Sequence, residues 1–289
     1  MPPNGIVDIC NIIPSLITDE ENVLLTSMPS AEEIKRTVLS MNPLSSPGPD
    51  GFPGAFYHNC WDIVGADVVA FVQYFFQHNW LFPNANSNFI VLLPKVDGAS
   101  SISQFRPIAL ANFLFKIIPK ILADRLGPIA SRIISVNQSA FLPGRRISDC
   151  IGLVSKGFNL LDRKIRGGNV GIKVDIAKAF DTLNWEFLFQ TLSQFGFSPD
   201  FMNYVSTILG SARLSVLING SPKGYFACAR GVRQGDPLSP LLFCIAEEAL
   251  SQGLTALFSS RRVKPISLPR GCSLTYSLAV FFREIWPGF

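Results

Sequence analysis

The segment Gly231-Val232-Arg233-Gln234-Gly235-Asp236-Pro237-Leu238-Ser239-Pro240-Leu241-Leu242-Phe243 sets two glycines and two prolines just ahead of an apolar run. Such a stretch must turn at Gly235–Pro237 and can then open a helix, where a proline in the first turn is tolerated. A glycine there brings backbone close to a ligand, and the helix start aims N–H groups at it. Some fifty residues earlier runs Lys173-Val174-Asp175-Ile176-Ala177-Lys178-Ala179-Phe180-Asp181. Val170, Ile172 and Val174 alternate with Gly171, Lys173 and Asp175. That period of two predicts a strand with Lys173 and Asp175 on one face. A carboxylate at a strand end is a hard oxygen ligand suited to a divalent metal, although a turn or helix cap uses aspartate just as readily. No aspartate follows Asp236 anywhere in the chain.

A chain of 289 residues with 48% hydrophobic and 16% charged side chains has ample material for one large domain or two smaller ones, which argues against disorder. The net charge of +4 is unevenly spread. Residues 1–94 sum to −7, residues 95–170 to +8 and residues 171–289 to +3. A basic middle third suits a polyanion, because phosphate contacts release counterions; a solvated helical surface is the plainer reading. Six scattered cysteines without a C-x-x-C pair, and only His58 and His78, argue against zinc and for reduced thiols inside a cell, in nucleus or cytoplasm. Met1–Asp19 lacks the basic start of a signal peptide, and the apolar stretch Val64–Phe76 is too short to span a bilayer.

Local patterns predict the elements. Ser30 can cap a helix whose Glu33 completes a capping box. Pro43–Pro53 must be a rigid loop, and helix resumes over Trp61–Trp80. Asn88–Lys95 and Phe105–Leu110 read as two strands joined by a polar loop. The helical face Leu114, Ile117, Ile118, Ile121, Leu122, Leu126 contains Pro119, which argues for a break. Further helices are expected over Trp185–Gly196 and Pro199–Leu209, with Asp181 capping the first. A hairpin turning on Asn219-Gly220 should follow, then a helix from Pro240 to about Leu257.

Several side chains carry candidate chemistry. Lys95 and Arg106 flank the loop between the two strands and can clamp a triphosphate, a task suited to a guanidinium; surface salt bridges are the alternative. Phe180 can lie under a bound sugar and exclude a 2′-hydroxyl, or be an ordinary core phenylalanine. Lys116, Lys120, Arg145 and Arg146 are the basic side chains best placed for nucleic acid.

Taken in order, seven blocks resemble the reverse transcriptase domain of non-LTR retrotransposons, in particular the LINE-like elements of plants. They are SSPGPDG (Ser45–Gly51), LLPK (Leu92–Lys95), FRPIAL (Phe105–Leu110), KIIPKILADRL (Lys116–Leu126), QSAFLPGRRISD (Gln138–Asp149), KVDIAKAFD (Lys173–Asp181) and GVRQGDPLSPLLF (Gly231–Phe243). The resemblance implies an α+β right-hand polymerase over residues 25–271, behind an N-terminal segment 1–24. Fingers would fill about 25–165 and a partial palm about 166–271. It also implies Asp175 as catalytic ligand of Mg²⁺, Phe180 as sugar gate, and Gln234 and Gly235 beside the incoming nucleotide. Lys95 and Arg106 would face its triphosphate, and the partners would be deoxynucleotide triphosphates, an RNA template and an RNA–DNA duplex.

The chain then departs from the family, which next presents a hairpin reading Tyr/Phe-Ala-Asp-Asp. Here Cys272 to Phe289 contains Tyr276, Leu278 and Ala279 but no aspartate, and Glu284 is its sole acid. One carboxylate cannot hold two Mg²⁺ ions about 4 Å apart against their repulsion. The expectation is an incomplete palm with an aberrant tail at 272–289, no thumb, and no polymerase activity. The alternative function is a non-catalytic RNA or RNA–DNA binding remnant.

Overall fold

A computed structural model describes residues 12–161 and 176–261. Within them α1 (Asp19–Thr26), α2 (Ala31–Ser40), α3 (Gly54–Asn59) and α4 (Trp61–His78) precede a hairpin of β1 (Ser87–Pro94) and β2 (Phe105–Ala111). Then come α5 (Phe113–Ile133), α6 (Ile147–Leu161), the single turn α7 (Ala179–Thr182), α8 (Trp185–Phe195) and α9 (Pro199–Gly210). A second hairpin, β3 (Arg213–Ile218) and β4 (Ser221–Ala227), leads into α10 (Ser239–Ser259). The α+β class expected from sequence is therefore found.

The four strands form one mixed sheet in the order β2-β1-β3-β4. β1 pairs antiparallel with β2, from Asn88 opposite Ala111 to Pro94 opposite Phe105. Its other edge pairs parallel with β3, from Ser87 opposite Arg213 to Ile90 opposite Val216. The second hairpin turns on Asn219 and Gly220, both with positive φ (50° and 75°), as a two-residue Asn-Gly turn requires. Among the described residues β2 and β4 are the two edges of the sheet, and β2 carries Pro107, whose missing donor an edge tolerates.

The core is built around α5, against which α1, α2, α4 and α10 pack. Phe113, Phe115, Ile117, Ile118, Ile121, Leu122 and Leu126 are all shut from solvent. The helix expected here is found, and α5 runs unbroken through both Pro119 and Pro128. Each proline removes one backbone bond, worth about 3 kcal/mol or more in an isolated helix, but packing on several faces supplies more. Arg125 enters this core as well. Its guanidinium takes Glu33 in a two-pronged pair (2.9 and 2.8 Å), donates to the Ser27 carbonyl (2.7 Å) and lies over Phe76.

That pair corrects one detail of the sequence reading. Ser30 does cap α2 by accepting from the Glu33 N–H at 3.1 Å, but the Glu33 carboxylate turns to Arg125, so the box stays half made. A complete box is formed on α1, between Thr18 and Glu21. Likewise α8 is capped by Asn184, which accepts from the Phe187 N–H at 3.1 Å, and not by Asp181, which lies in α7.

Candidate functional site

The segment from Gly231 to Leu238 is held on three sides. Gly231 N–H donates to the Leu183 carbonyl and Val232 N–H to the Phe180 carbonyl, both at 2.7 Å. Trp185 Nε1 returns a bond to the Gly231 carbonyl, also at 2.7 Å. Only glycine fits at 231: φ is +82° and an added Cβ would stand 2.7 Å from the Asp181 carbonyl oxygen. On the second side, the Gln234 carbonyl accepts from Ala109 N–H at 3.1 Å on the open edge of β2. Gly235, exposed at φ +103°, approaches so closely that a Cβ there would lie 3.0 Å from the Ala109 carbonyl. The two stretches singled out in the sequence, around Phe180 and around Gln234, are thus neighbours beside β2.

The third side is Arg233, which the sequence reading quoted but gave no role. Its buried guanidinium donates to Asn86 Oδ1, to Asn88 Oδ1 at 3.4 Å, to the Ile208 carbonyl at 3.4 Å and to Asp236 Oδ2 at 3.1 Å. It lies 5.0 Å above the centre of the Phe115 ring. Burial pushes its pKa down, and the Asp236 carboxylate opposes that shift. Asp236 uses its other oxygen to accept from Leu238 N–H at 2.9 Å, ordering the chain just ahead of α10.

The other expected side chains are spread more widely. Phe180 is half-buried, stacked on Phe243 with centroids 4.8 Å apart and edge-on to Phe141 at 6.1 Å. Arg106 lies opposite Leu93 near the hairpin end of β2, three residues along the strand from Ala109. Lys95 follows β1 directly; its backbone N–H extends the pairing to the Gln104 carbonyl at 2.7 Å, and its Nζ approaches the Ser103 carbonyl at 3.5 Å. Asp175 lies outside the described residues, as do the rest of the strand expected from Val170 and everything after residue 261.

The four basic residues assigned to nucleic acid divide sharply. Lys116 is half-buried, and desolvation lowers its pKa against the pull of Asp236 and Asp50. Lys120 pairs with Asp124 one turn on, at 2.5 Å. Arg145 spends its guanidinium on four carbonyls at the end of α5: Ser135 (2.5 Å), Gln138 (2.6 Å), Ser131 (2.7 Å) and Ile134 (2.8 Å). Ser131 and Ile134 lie in the last turn and cap of α5, where a helix C-terminus leaves carbonyls unpaired and a cation is favoured, while Ser135 and Gln138 belong to the turn that follows. Arg146 alone of the four is exposed.

Two acids of α10 stand apart from the loop. Glu248 is buried, accepting from the Ser135 N–H at 3.0 Å. Glu247 has its Oε2 shielded without a hydrogen-bond partner, and desolvation pushes its pKa up to about 7. Among the described residues no three His, Cys, Asp or Glu side chains gather as a metal site, and Asp236 is committed to Arg233. No helix among the described residues is long and apolar enough to cross a membrane.

The family model described as "Reverse transcriptase (RNA-dependent DNA polymerase)" matches residues 93–266. The chain is 31% identical to the "Transposon TX1 uncharacterized 149 kDa protein" of Xenopus laevis, over 81% of this chain and 18% of that protein. It is 26% identical, over 70% of this chain and 19% of the relative, to a "Retrovirus-related Pol polyprotein from type-1 retrotransposable element R2" of Nasonia vitripennis. A type-2 R2DM element polyprotein of Drosophila melanogaster is 32% identical over 57% of this chain and 15% of its own length. The matched region thus spans less than a fifth of each of these relatives, at 18%, 19% and 15%.

Proposed function

The chain belongs to the reverse transcriptase (RNA-dependent DNA polymerase) family, and on that premise we propose that it binds a deoxynucleotide triphosphate and an RNA-containing duplex without extending a primer. The observation that carries the nucleotide half is the Gln234–Gly235 tip, seated between the β2 edge and the Phe180 turn. Gln234 would touch the incoming nucleotide, Phe180 would lie beneath its sugar, and Arg106 and Lys95 would approach its phosphates from the β1–β2 hairpin. In this reading residues 25–165 act as fingers and residues 166–271 as a partial palm of the non-LTR retrotransposon kind. The site is that of an intracellular polymerase, with Mg²⁺ drawn to Asp175.

The inactive reading rests on residues 237–289, which hold no aspartate where the family's Tyr/Phe-Ala-Asp-Asp hairpin would complete a two-ion site. Primer extension on an RNA template, with Mg²⁺ or Mn²⁺, is the direct test. No product is expected. Extension that disappears in Asp175→Ala would overturn the inactive reading, because a working site would then exist without the second pair. Binding is tested separately, by titrating a labelled RNA–DNA duplex between about 50 and 200 mM salt, where phosphate-driven affinity falls steeply. A flat salt response would refute an electrostatic grip.

A further inference from the structure

Resting on that reading, we infer that Arg233 is the positioning residue of the nucleotide loop, holding Gln234 at a fixed distance and angle to β2 by tying Asp236 to Asn86, Asn88 and α9. The chain has built an expensive object here. A guanidinium is taken almost entirely out of water, which is favourable only when its donors are met by well-placed acceptors. Its acceptors come from three places: the loop itself (Asp236), the start of β1 (Asn86 and Asn88) and α9 (the Ile208 carbonyl). Phe115 of α5 supplies the floor. Residue 233 is next to Gln234, and its partner Asp236 is two residues beyond it. The ion pair therefore closes the turn whose tip carries the proposed nucleotide contact.

The acceptors are themselves braced. Asn86 Nδ2 donates to the Ile208 carbonyl at 2.9 Å and to Ser211 Oγ at 2.8 Å, so its Oδ1 is aimed at Arg233. Asn88 Nδ2 donates to the Asn86 carbonyl at 2.9 Å. A flat fork with five N–H donors is needed to reach four acceptors in three directions while lying on a ring. Lysine offers the charge but not that geometry. The loop is in this way preformed before any ligand arrives, so a bound nucleotide pays no ordering entropy for it.

A double-mutant cycle separates positioning from simple stability. Binding of a fluorescently labelled dATP is measured, per folded molecule, for the parent, Arg233→Lys, Gln234→Ala and the double variant. Arg233→Lys should weaken binding about tenfold in the parent and less than twofold in the Gln234→Ala background, because it acts through Gln234. An equal loss in both backgrounds would overturn the inference, since a merely structural residue does not distinguish them. Amide exchange supplies an arm that needs no nucleotide. In Arg233→Lys the Gln234, Gly235, Asp236 and Leu238 amides should exchange at least tenfold faster while those of α5 and α8 are unchanged. If the parent binds no dATP, the nucleotide reading falls, yet faster exchange confined to the loop still supports positioning and unchanged exchange refutes it. Should Arg233→Lys fail to fold, Asn88→Ala removes one outer acceptor and is expected to follow the same pattern at two- to threefold; its failure to do so would sink the proposal.

Discussion

Arg145 and Arg146 are adjacent in sequence and opposite in surroundings, which turns one substitution pair into a quantitative test. Arg145→Ala removes four donors from the carbonyls of Ser131, Ile134, Ser135 and Gln138. A hydrogen bond from a charged group is worth roughly 1.5–3 kcal/mol. These acceptors are only partly buried, so water recovers much of that, and about 3–4 kcal/mol is the expected net loss. For a chain of this size, about 2–4 °C is lost per kcal/mol, which places the drop in melting temperature at roughly 6–15 °C. Arg146→Ala, by contrast, should change stability by no more than about 0.5 kcal/mol. It should instead lower the slope of log affinity against log salt for an RNA strand or duplex by about 0.7–0.9. Thermal melts and salt-dependent anisotropy on both variants settle the matter. Melting of Arg145→Ala within a degree or two of the parent would refute the capping argument. A reduced salt slope at unchanged stability would show that its guanidinium faces phosphate after all.

Gly231→Ala should destabilise the chain by about 2–4 kcal/mol in urea titration, from positive-φ strain plus the contact with the Asp181 carbonyl; a loss under about 0.5 kcal/mol would mean the loop shifts freely. Glu247→Gln should make stability less dependent on pH. The folded pKa of about 7 lies above the ordinary 4.5, so the parent is most stable below pH 4.5 and loses that contribution as pH rises through 7. At pH 8.5 the glutamine variant should lead by about 1–3 kcal/mol, the full shift being discounted for partial exposure, and the lead should vanish at or below about pH 4. An equal gain at both pH values would rule out desolvation of the carboxylate as its source. Glu33→Gln should lose about 3 kcal/mol, since it leaves the buried Arg125 cation half paired; chemical denaturation with no change would show that water reaches Arg125.

Much of the local structure was legible in the residues. Asn219-Gly220 announced its hairpin, the apolar run ending at Pro94 announced β1, and the helix expected from Pro199 is α9. What stayed hidden depends on partners distant in sequence. Nothing near Ser87–Ile90 says that it will lie parallel to Arg213–Val216, because parallel pairing leaves no turn to read. Glu33 had the spacing of a capping box, yet Arg125, 92 residues away, took its carboxylate. Basic residues in the middle third suggested a polyanion surface, but charge counts cannot tell Arg146, in water, from Arg145, folded onto a helix end. Of the candidate site, the approach of Phe180 to the Gln234 loop followed from two quoted blocks. Arg233 did not, although an arginine between Val232 and a Gly-Pro turn was a signal: a strong cation in an otherwise apolar approach to a helix must find buried acceptors.

The placement of α5 has a consequence for how the chain is made. Its neighbours α1, α2 and α4 are synthesised before it, but α10 begins 106 residues after α5 ends. At about 5–20 residues per second, the side of α5 that α10 will cover waits on the order of 5–20 s on the ribosome. During that interval the nascent chain presents an uncovered apolar helix face together with a β1 edge still lacking β3. Both are surfaces that other nascent chains, or holdase chaperones, can occupy first. The central helix that organises the finished fold is therefore the element most exposed to misassembly while translation is under way.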